Sequence, residues 1–257
     1  MKLRFFKYQG TGNDFIMLDG TEIKHQFSAQ EILKICHRRF GIGADGLIIL
    51  KPHDELDFEM DYYNADGSQS FCGNGSRCAQ AFAKQLAWIN QKSKFLAIDG
   101  IHEGKFQDGW FATKMAEVAQ VKQIGADYFI HTGSPHYIRF VPDASKVEVL
   151  NEGRAIRNQE EYRKEGTNVN FVSLDKEKLT VRTYERGVED ETYSCGTGVT
   201  AAAIAYIEKS GNTQQQVEIS TLGGALRIEL EKMAPQHYTN IWLCGPAEFV
   251  YEGEYSI

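Results

Sequence analysis

The chain has 257 residues, of which 42% are hydrophobic and 25% charged, so it can bury a core as one large domain or two smaller ones. Its formal net charge of −7 argues against a nucleic-acid-binding protein, which carries a basic surface. No stretch approaches the roughly 18 uninterrupted apolar residues of a membrane span, and the N-terminus lacks the apolar segment of a secretory signal. We therefore expect a globular protein with no nucleic-acid or membrane partner.

The five cysteines are an odd number and lack the close spacing of a disulfide framework. This pattern is typical of free thiols in a reducing compartment, so we expect a cytoplasmic protein. No group of histidines and cysteines has the spacing of metal ligands, and we find no phosphate-binding loop. The sequence therefore predicts neither a metal nor a cofactor.

Local patterns predict helices and strands along the chain. Ser28 and Glu31 form a capping box that opens a helix through about residue 39. Apolar and polar residues alternate over 58–63, which indicates a half-buried strand. The further predicted elements, in chain order, are a helix after Gly75, strands at 95–98 and 110–114, a strand at 179–184, a helix after Gly198, and strands at 217–220 and 225–231.

These elements repeat, because sequence landmarks recur in the same order at offsets of 121 to 125 residues. The paired landmarks are Gly12 with Gly133, Gly41 with Gly166, Tyr63 with Tyr184, and Cys72 with Cys195. We interpret the chain as two copies of one fold, residues 1–121 and 122–257, with the last strand able to return to the first copy. Many strands around one central helix per copy predict an α+β fold of two pseudo-symmetric domains, each a mostly antiparallel sheet wrapped around that helix, with the active site in the cleft between them.

In each copy a cysteine lies where a glycine-containing turn enters a helix. Backbone N–H groups at a helix start have no intrahelical partner and carry partial positive charge, so they stabilise a thiolate and can bind a carboxylate. Either cysteine alone could be a small buried residue, but the symmetric pair favours a chemical role. With one thiolate and one thiol, Cys72 and Cys195 could remove a proton from one face of an α-carbon and return one to the other.

At these residues the sequence resembles the diaminopimelate epimerases. The matching segments follow the family order over nearly the whole chain: Gly12-Asn13-Asp14-Phe15, Gly41-Ile42-Gly43-Ala44-Asp45-Gly46, Asn64-Ala65-Asp66-Gly67-Ser68, Cys72-Gly73-Asn74-Gly75-Ser76-Arg77-Cys78, Pro135-His136, Thr167-Asn168, Tyr184-Glu185-Arg186-Gly187 and Cys195-Gly196-Thr197-Gly198. The resemblance implies cofactor-independent interconversion of LL- and meso-2,6-diaminopimelate, a small amino-acid substrate, in lysine and cell-wall precursor synthesis. It leaves open whether the enzyme is a homodimer.

The resemblance also implies a role for each matching site residue. Cys72 and Cys195 would be the acid and base. The reacting carboxylate would be bound by the turn residues Gly73, Asn74, Gly196 and Thr197. The substrate would be held by Asn13, Asn64, Asn168 and Arg186, while Glu185 and His136 would lie near the cysteines, bind the amine and influence thiol protonation. No metal ligand is implied.

Taken without the family, the same residues have simpler interpretations. Asn13 and Asn64 would be turn residues, His136 a structural histidine, and Glu185 with Arg186 a solvated ion pair. The remaining cysteines, Cys36, Cys78 and Cys244, are predicted to be structural.

The sequence departs from the family pattern in two places, which leaves alternatives open. Ser134 stands where the family usually has asparagine before Pro-His, and the loop 188–191 is one residue longer than usual. One alternative is a racemase of the same fold for another amino acid, such as histidine or hydroxyproline. A second is a thiol redox protein, although the expected Cys-x-x-Cys is missing. A third is a protein that kept the cleft and lost catalysis.

Overall fold

The computed structural model describes residues 2–176 and 178–257, and the chain divides into two compact units. Unit 1 contains the residues up to Thr113 together with Gly245–Ile257, and unit 2 contains Lys114–Cys244. Within the described ranges, no helix combines the length and apolar character that crossing a membrane requires.

The junction between the units lies after Thr113, whereas the sequence repeat predicted one near residue 121. The segment that follows Thr113 is tied to unit 2 by backbone hydrogen bonds. Met115 N donates to Ile241 O at 2.8 Å, and Val118 N donates to Tyr238 O at 2.9 Å.

Strands form the larger part of the secondary structure in both units. In chain order they are β1 (Lys2–Gly10), β2 (Asn13–Asp19), β3 (Gly46–Lys51), β4 (Phe58–Asn64), β5 (Lys92–Ala97), β6 (Gly100–Gln107), β7 (Trp110–Lys114), β8 (Val121–Ile124), β9 (Asp127–His131), β10 (Pro135–Phe140), β11 (Asn168–Asp175), β12 (Lys178–Glu185), β13 (Asp190–Thr192), β14 (Gln216–Thr221), β15 (Gly224–Ala234), β16 (His237–Gly245) and β17 (Glu248–Ser256). The helices are α1 (Ala29–Cys36), α2 (Gly73–Gln85), α3 (Val149–Arg157) and α4 (Gly196–Ser210), with a 3-10 turn at Ala144–Lys146.

Unit 1 is a sheet with the strand order β17-β1-β2-β3-β4-β5-β6-β7. The pairs β2–β3 and β4–β5 are parallel, and the other neighbouring pairs are antiparallel. Helix α2 packs on β1 to β4, and every residue from Asn74 to Ala83 is buried. Because these residues cover more than two turns, all faces of the helix are enclosed.

Unit 2 repeats this topology in the order β8-β9-β10-β11-β12-β14-β15-β16, with β13 as an additional antiparallel partner of β12. Here β10–β11 and β12–β14 are the parallel pairs. Helix α4 packs on β9 to β12 and on β15, and residues 199–205 are all fully buried. The predicted α+β fold, with a duplicated, mostly antiparallel sheet around a central helix in each copy, is therefore confirmed.

Each unit also contains a second helix besides the central one. Helix α1 connects the parallel strands β2 and β3, and α3 connects β10 and β11. A parallel pair needs a crossover, and a helix is the usual one. The sequence signals α1 through its capping box, whereas the residue before α3, Glu148, makes no side-chain cap hydrogen bond.

Helix α1 begins as predicted and ends earlier than residue 39. Ser28 Oγ accepts a hydrogen bond from Glu31 N at 3.3 Å, and Ser28 N donates to the Glu31 carboxylate at 2.8 Å. The helix ends at Cys36 because His37 has an extended backbone. The His37 ring nitrogen Nδ1 then accepts from Arg39 N and Phe40 N, at 3.0 and 3.1 Å, which stabilises a turn in place of further helix.

Candidate active site

In unit 1, Cys72 is the N-cap residue of α2. Its sulfur accepts a hydrogen bond from Gly75 N at 3.4 Å and lies 3.6 Å from the side-chain oxygen Oδ1 of Asn13. The sulfur therefore contacts one of the helix N–H groups that lack an intrahelical partner. The predicted helix-start position of Cys72 is present in the structure, and Asn13, a predicted substrate-binding residue, lies beside its sulfur.

The orientation of the Asn13 amide is set by a charged cluster. Asn13 Nδ2 donates to Asp45 Oδ2 at 2.6 Å, and because a carboxylate only accepts, the amide oxygen must be the atom that faces Cys72. Arg38 binds both Asp45 and Asp14 at 2.7 Å. Burial would raise the pKa of Asp14, but hydrogen bonds from Arg38 and Lys7 outweigh it and hold the pKa at about 2. Asp14 is thus charged at neutral pH.

The first turn of α2 is held from inside the unit by Arg77, which is fully buried. Arg77 Nη2 donates to Asn74 Oδ1 at 3.0 Å, and Arg77 Nη1 donates to Gly73 O at 3.4 Å. Asn74 Nδ2 in turn lies 3.4 Å from Asn13 Oδ1. The structure therefore brings together four of the predicted residues of this unit: Asn13, Cys72, Gly73 and Asn74.

Asn64, the fifth predicted residue of unit 1, ends β4 and forms a turn of its own. Its amide nitrogen donates to Ser68 Oγ at 3.0 Å and to Ser70 Oγ at 3.2 Å, and its oxygen accepts from Tyr62 Oη at 2.8 Å. These bonds match the turn role that its residue type suggests.

In unit 2, Cys195 is the N-cap residue of α4. Its sulfur lies 3.5 Å from Thr197 Oγ1, and the Thr197 carbonyl accepts from Thr132 Oγ1 at 2.8 Å. Gly196 and Thr197 form the first turn of the helix, as predicted. The two cysteines thus occupy the same position of the repeated fold but contact different side chains.

His136 lies behind this second turn and is fully buried. Its Nε2 is 2.9 Å from Thr197 Oγ1, and its Nδ1 is 3.1 Å from Asn170 Nδ2. Burial lowers the pKa of His136 to about 3, with smaller contributions from the charges of His131 and Arg186. The imidazole is therefore neutral at physiological pH. It reaches Cys195 through Thr197.

Asn168, the first residue of β11, and Arg186, which follows the last residue of β12, are brought together. Asn168 is buried, and its oxygen accepts from Arg186 N at 2.9 Å while its amide nitrogen donates to Ser134 Oγ at 2.9 Å. The guanidinium of Arg186 is exposed and donates to Glu165 O at 2.8 Å and to Ser134 Oγ at 3.4 Å. Ser134, the residue that departs from the family pattern, is therefore the acceptor that both side chains share.

Glu185 is the last residue of β12, and Thr192 Oγ1 donates to its carboxylate at 2.8 Å. The longer loop that follows is anchored by Glu189, whose carboxylate accepts from Tyr184 Oη at 3.0 Å and from Arg157 at 3.2 Å. The chain then pairs back on β12 as β13. The extra residue is thus accommodated in an ordered hairpin beside Glu185.

Two residues of this region did not emerge from the sequence. Asn170 and Thr183 are buried on neighbouring strands, and Thr183 Oγ1 donates to Asn170 Oδ1 at 2.9 Å. Asn170 Nδ2 also donates to Tyr137 O at 3.2 Å. The available signal was a polar residue at the centre of an otherwise apolar stretch, Val169 to Val172. Buried polar side chains are hydrogen-bonded as a rule, so such a residue points to a network.

The other cysteines, Cys36, Cys78 and Cys244, are buried thiols. Burial raises the pKa of Cys36 to about 12 and raises the pKa of Cys78 further. In the part of the chain that the structure describes, no three His, Cys, Asp or Glu side chains are grouped as metal ligands would be.

The diaminopimelate epimerase family model matches residues 5–100 and 128–250. Among curated relatives, a diaminopimelate epimerase of Flavobacterium psychrophilum is 46% identical over 254 residues, covering 97% of this chain and 99% of the relative. A diaminopimelate epimerase of Aquifex aeolicus is 36% identical over 277 residues, covering 99% and 98%.

Solved structures with low sequence identity share the fold. A PhzF-family phenazine biosynthesis protein of Bacillus anthracis superposes with a TM-score of 0.77 at 14% identity, covering all of both chains. A hydroxyproline epimerase of Agrobacterium vitis, with bound trans-4-hydroxy-L-proline, superposes with a TM-score of 0.73 at 11% identity, covering 100% of this chain and 93% of the other. At these identities the similarity establishes the architecture alone.

Proposed function

The chain belongs to the diaminopimelate epimerase family and is an isomerase of amino-acid biosynthesis, and from this we propose that Cys72 and Cys195 are the acid and base that invert an α-carbon of diaminopimelate. The substrates are LL- and meso-2,6-diaminopimelate, and the proposed reaction needs no cofactor. The observation that carries the proposal is the pair of N-cap cysteines at equivalent positions of a duplicated fold.

The proposed chemistry is a proton exchange with inversion. One cysteine, as thiolate, forms an S–H bond as the Cα–H bond of the substrate breaks. The other cysteine, as thiol, transfers its proton to the opposite face of the same carbon and becomes the thiolate. The substrate leaves with inverted configuration, and the two sulfurs have exchanged protonation states. The next turnover in the reverse direction restores them.

The weak acidity of an amino-acid α-proton is the main barrier, and helix-start N–H groups can lower it. We propose that the turns Gly73-Asn74 and Gly196-Thr197 bind the reacting carboxylate, because their backbone donors and the helix dipoles favour negative charge. Donors already oriented in the protein stabilise the charge that develops on the carboxylate as the proton leaves.

The far end of the substrate needs a second binding site for a carboxylate and an amine. We propose Asn13, Asn64, Asn168 and Arg186 for these contacts, with Glu185 and His136 near the reacting amine. Support comes from Arg186, whose guanidinium is exposed and held by Glu165 O and Ser134 Oγ, and can therefore present a planar pair of donors to a carboxylate.

The test is epimerisation of LL-diaminopimelate in deuterated water. We expect deuterium at the α-carbon of the product, because the added proton comes from a thiol that exchanges with solvent. Cys72→Ala and Cys195→Ala should each abolish turnover, and the corresponding serine variants should reduce it strongly, since serine is far less acidic. Cys36→Ala, which changes a buried thiol in unit 1, is the matched control and should retain activity. A fully active Cys72→Ala enzyme would contradict the mechanism.

Ser134 is the observation that favours a second candidate, a racemase of the same fold for another amino acid such as histidine or hydroxyproline. A panel of chiral amino acids would separate the two candidates. A redox role would consume a reductant in proportion to product, whereas an epimerase would only be kept active by it. As finer points, we propose a cytoplasmic enzyme and a homodimeric assembly, the latter to be tested by light scattering.

A further inference from the structure

The residues around the two helix starts differ in polarity between the copies. In the parallel pairs, Phe15 stands opposite Gly46 in unit 1 as His136 stands opposite Asn168 in unit 2. In the antiparallel pairs, Ile48 stands opposite Tyr62 in unit 1, and Asn170 stands opposite Thr183 in unit 2. Ile48 is therefore equivalent to Asn170, and Tyr62 is equivalent to Thr183. Three equivalent core positions are thus occupied by Phe15, Ile48 and Tyr62 in unit 1 and by His136, Asn170 and Thr183 in unit 2.

The polar set is deeply buried. His136 and Asn170 are 0% exposed and Thr183 is 3% exposed, in a fold whose other copy uses mainly apolar side chains at these positions. Burying polar groups costs stability unless each of them is hydrogen-bonded. Ile48 and Phe15 show that the fold does not require polar side chains there. The polarity of the second set therefore points to a role at Cys195.

The hydrogen bonds of this set have one consistent direction. The carbonyl of Tyr137 can only accept, so the Asn170 group that faces it is the amide nitrogen, and the same nitrogen must donate to His136 Nδ1. Asn170 Oδ1 accepts from Thr183. Neutral His136 then carries its proton on Nε2 and donates to Thr197 Oγ1. The hydroxyl proton of Thr197 remains for the sulfur of Cys195, 3.5 Å away.

We propose that Asn170, held by Thr183, is a positioning residue that fixes His136 as the Nε2–H tautomer and thereby directs the Thr197 hydroxyl proton to the sulfur of Cys195. This inference rests on the proposed role of Cys195 as acid or base. A donated hydrogen bond stabilises the thiolate form of the sulfur. The titratable and charged groups with an electrostatic effect on His136 are His131 and Arg186.

The contact at the other cysteine has the opposite direction. Cys72 lies 3.6 Å from Asn13 Oδ1, an acceptor whose orientation is set by Asp45, so this contact is made by the thiol. Gly75 N also donates to the Cys72 sulfur. The duplicated turns thus supply a side-chain acceptor to Cys72 and a side-chain donor to Cys195, so the side-chain contact stabilises the thiol form of Cys72 and the thiolate form of Cys195.

Close packing supports a fixed position for Asn170. A Cβ atom at Gly198 would lie 2.5 Å from Asn170 Oδ1, so the amide is seated directly against the start of α4. At the equivalent Gly75, a Cβ would meet Ile48 at 3.2 Å, an apolar and more distant neighbour. The space that Gly198 leaves open is therefore occupied by the amide that orients His136.

The test uses Asn170→Asp and Asn170→Leu, with Ile48→Leu as the matched control at the equivalent position of unit 1. An aspartate would hold a proton on Nδ1 of His136, as the carboxylate of a Ser-His-Asp triad does, so Nε2 would accept from Thr197. Leucine removes the donor without adding charge. Both variants should lower the rate of Cys195 alkylation by iodoacetamide at a fixed neutral pH by roughly tenfold, the value of one hydrogen bond to a charged group. Cys72 alkylation and the Ile48→Leu enzyme should be unchanged.

The tautomer itself is measured by NMR of enzyme with nitrogen-15-labelled histidine. The chain has seven histidines, so the His136 signals are assigned by their loss in His136→Gln. We expect protonated Nε2 in the native enzyme and protonated Nδ1 with an accepting Nε2 in Asn170→Asp at alkaline pH. The kcat value should fall roughly tenfold in both Asn170 variants with a smaller change in KM, because substrate binding groups are retained.

Three outcomes overturn the inference: a native enzyme with the proton on Nδ1, an Asn170→Asp enzyme with the native tautomer, or unchanged Cys195 alkylation in both variants. The NMR result on the native enzyme applies even where a variant does not fold. Failure of the proposed function is recognised separately, because an active Cys195→Ala enzyme would contradict the two-cysteine mechanism and leave the tautomer measurement intact.

Discussion

At the scale of single residues, burial of His136 as a neutral imidazole costs the folded protein stability at acidic pH. The pKa of His136 is lowered mainly by burial, from 6.5 to about 3, so the folded protein keeps the imidazole neutral where the unfolded chain would bind a proton. The unfolded state therefore gains a proton below about pH 6.5 that the folded state does not, and the folded state loses stability as the pH falls toward about 3.

The protonation difference between the two states predicts a measurable dependence of the free energy of unfolding on pH. Between about pH 6 and 4.5 the free energy of unfolding should fall with a contribution from His136 that approaches about 1.4 kcal/mol per pH unit. His136→Gln keeps a donor and an acceptor but does not titrate, so its slope should be shallower by about that amount. Urea unfolding at several pH values measures the difference. Equal slopes for the two proteins would show that His136 accepts a proton in the folded state.

At the scale of elements, α3 sets the position of the end of β12. Gly153 of α3 lies against Tyr184, and a Cβ there would come within 2.4 Å of the Tyr184 Cβ. The next residues along the chain are Glu185 and Arg186, so the helix supports the strand end from which both proposed binding residues extend. Only glycine permits this close approach of helix and strand.

Gly153→Ala is expected to destabilise the protein. Alanine improves helix propensity by up to about 1 kcal/mol, but overpacking against Tyr184 costs about 1–3 kcal/mol, so the net effect should be unfavourable. The KM for diaminopimelate should rise as the strand end shifts. Asn151→Ala, at an exposed position of the same helix, is the control and should leave both unchanged or slightly raise stability. Thermal unfolding with steady-state kinetics makes the comparison, and a more stable Gly153→Ala enzyme would show that the helix can move away freely.

At the scale of the whole molecule, unit 1 is completed by the end of the chain. β17 pairs antiparallel with β1 from Lys2↔Ser256 to Gln9↔Glu248, occupying in unit 1 the place that β8 has in unit 2. The residues before Thr113 therefore lack the outer strand of their sheet until the last part of the chain is present. Without β17, the backbone groups of β1 that it pairs with would lose their partners.

Removal of residues 248–257 should weaken unit 1 selectively. Amide hydrogen exchange should accelerate strongly in β1, which loses its outer neighbour β17, and in the adjacent β2. It should accelerate much less in β10 and β11 of unit 2. Glu252→Gln is the control, because it breaks only the exposed ion pair with Arg4 and should cost less than about 1 kcal/mol. Equal acceleration in the two units would mean that they unfold as one.

The amino-acid sequence by itself determined the features that are encoded locally or by repetition. The capping box at Ser28, the alternation in β4 and β12, and the buried helices after Cys72 and Cys195 all follow from short-range periodicity, so their existence was predicted and their ends were less certain. The duplication was visible because both copies keep a Cys-Gly-x-Gly segment at the start of the central helix.

Only the tertiary structure decided the features that depend on contacts between distant segments. Helix α3 has no side-chain cap, and the return of β17 to β1 joins the two ends of the chain. His136 and Asn170 are separated by 34 positions and meet only because β10 and β11 are parallel neighbours. Side-chain contacts at a sulfur are a property of packing, so the sequence placed both cysteines at helix starts, while the fold decided that Cys72 contacts Asn13 and Cys195 contacts Thr197.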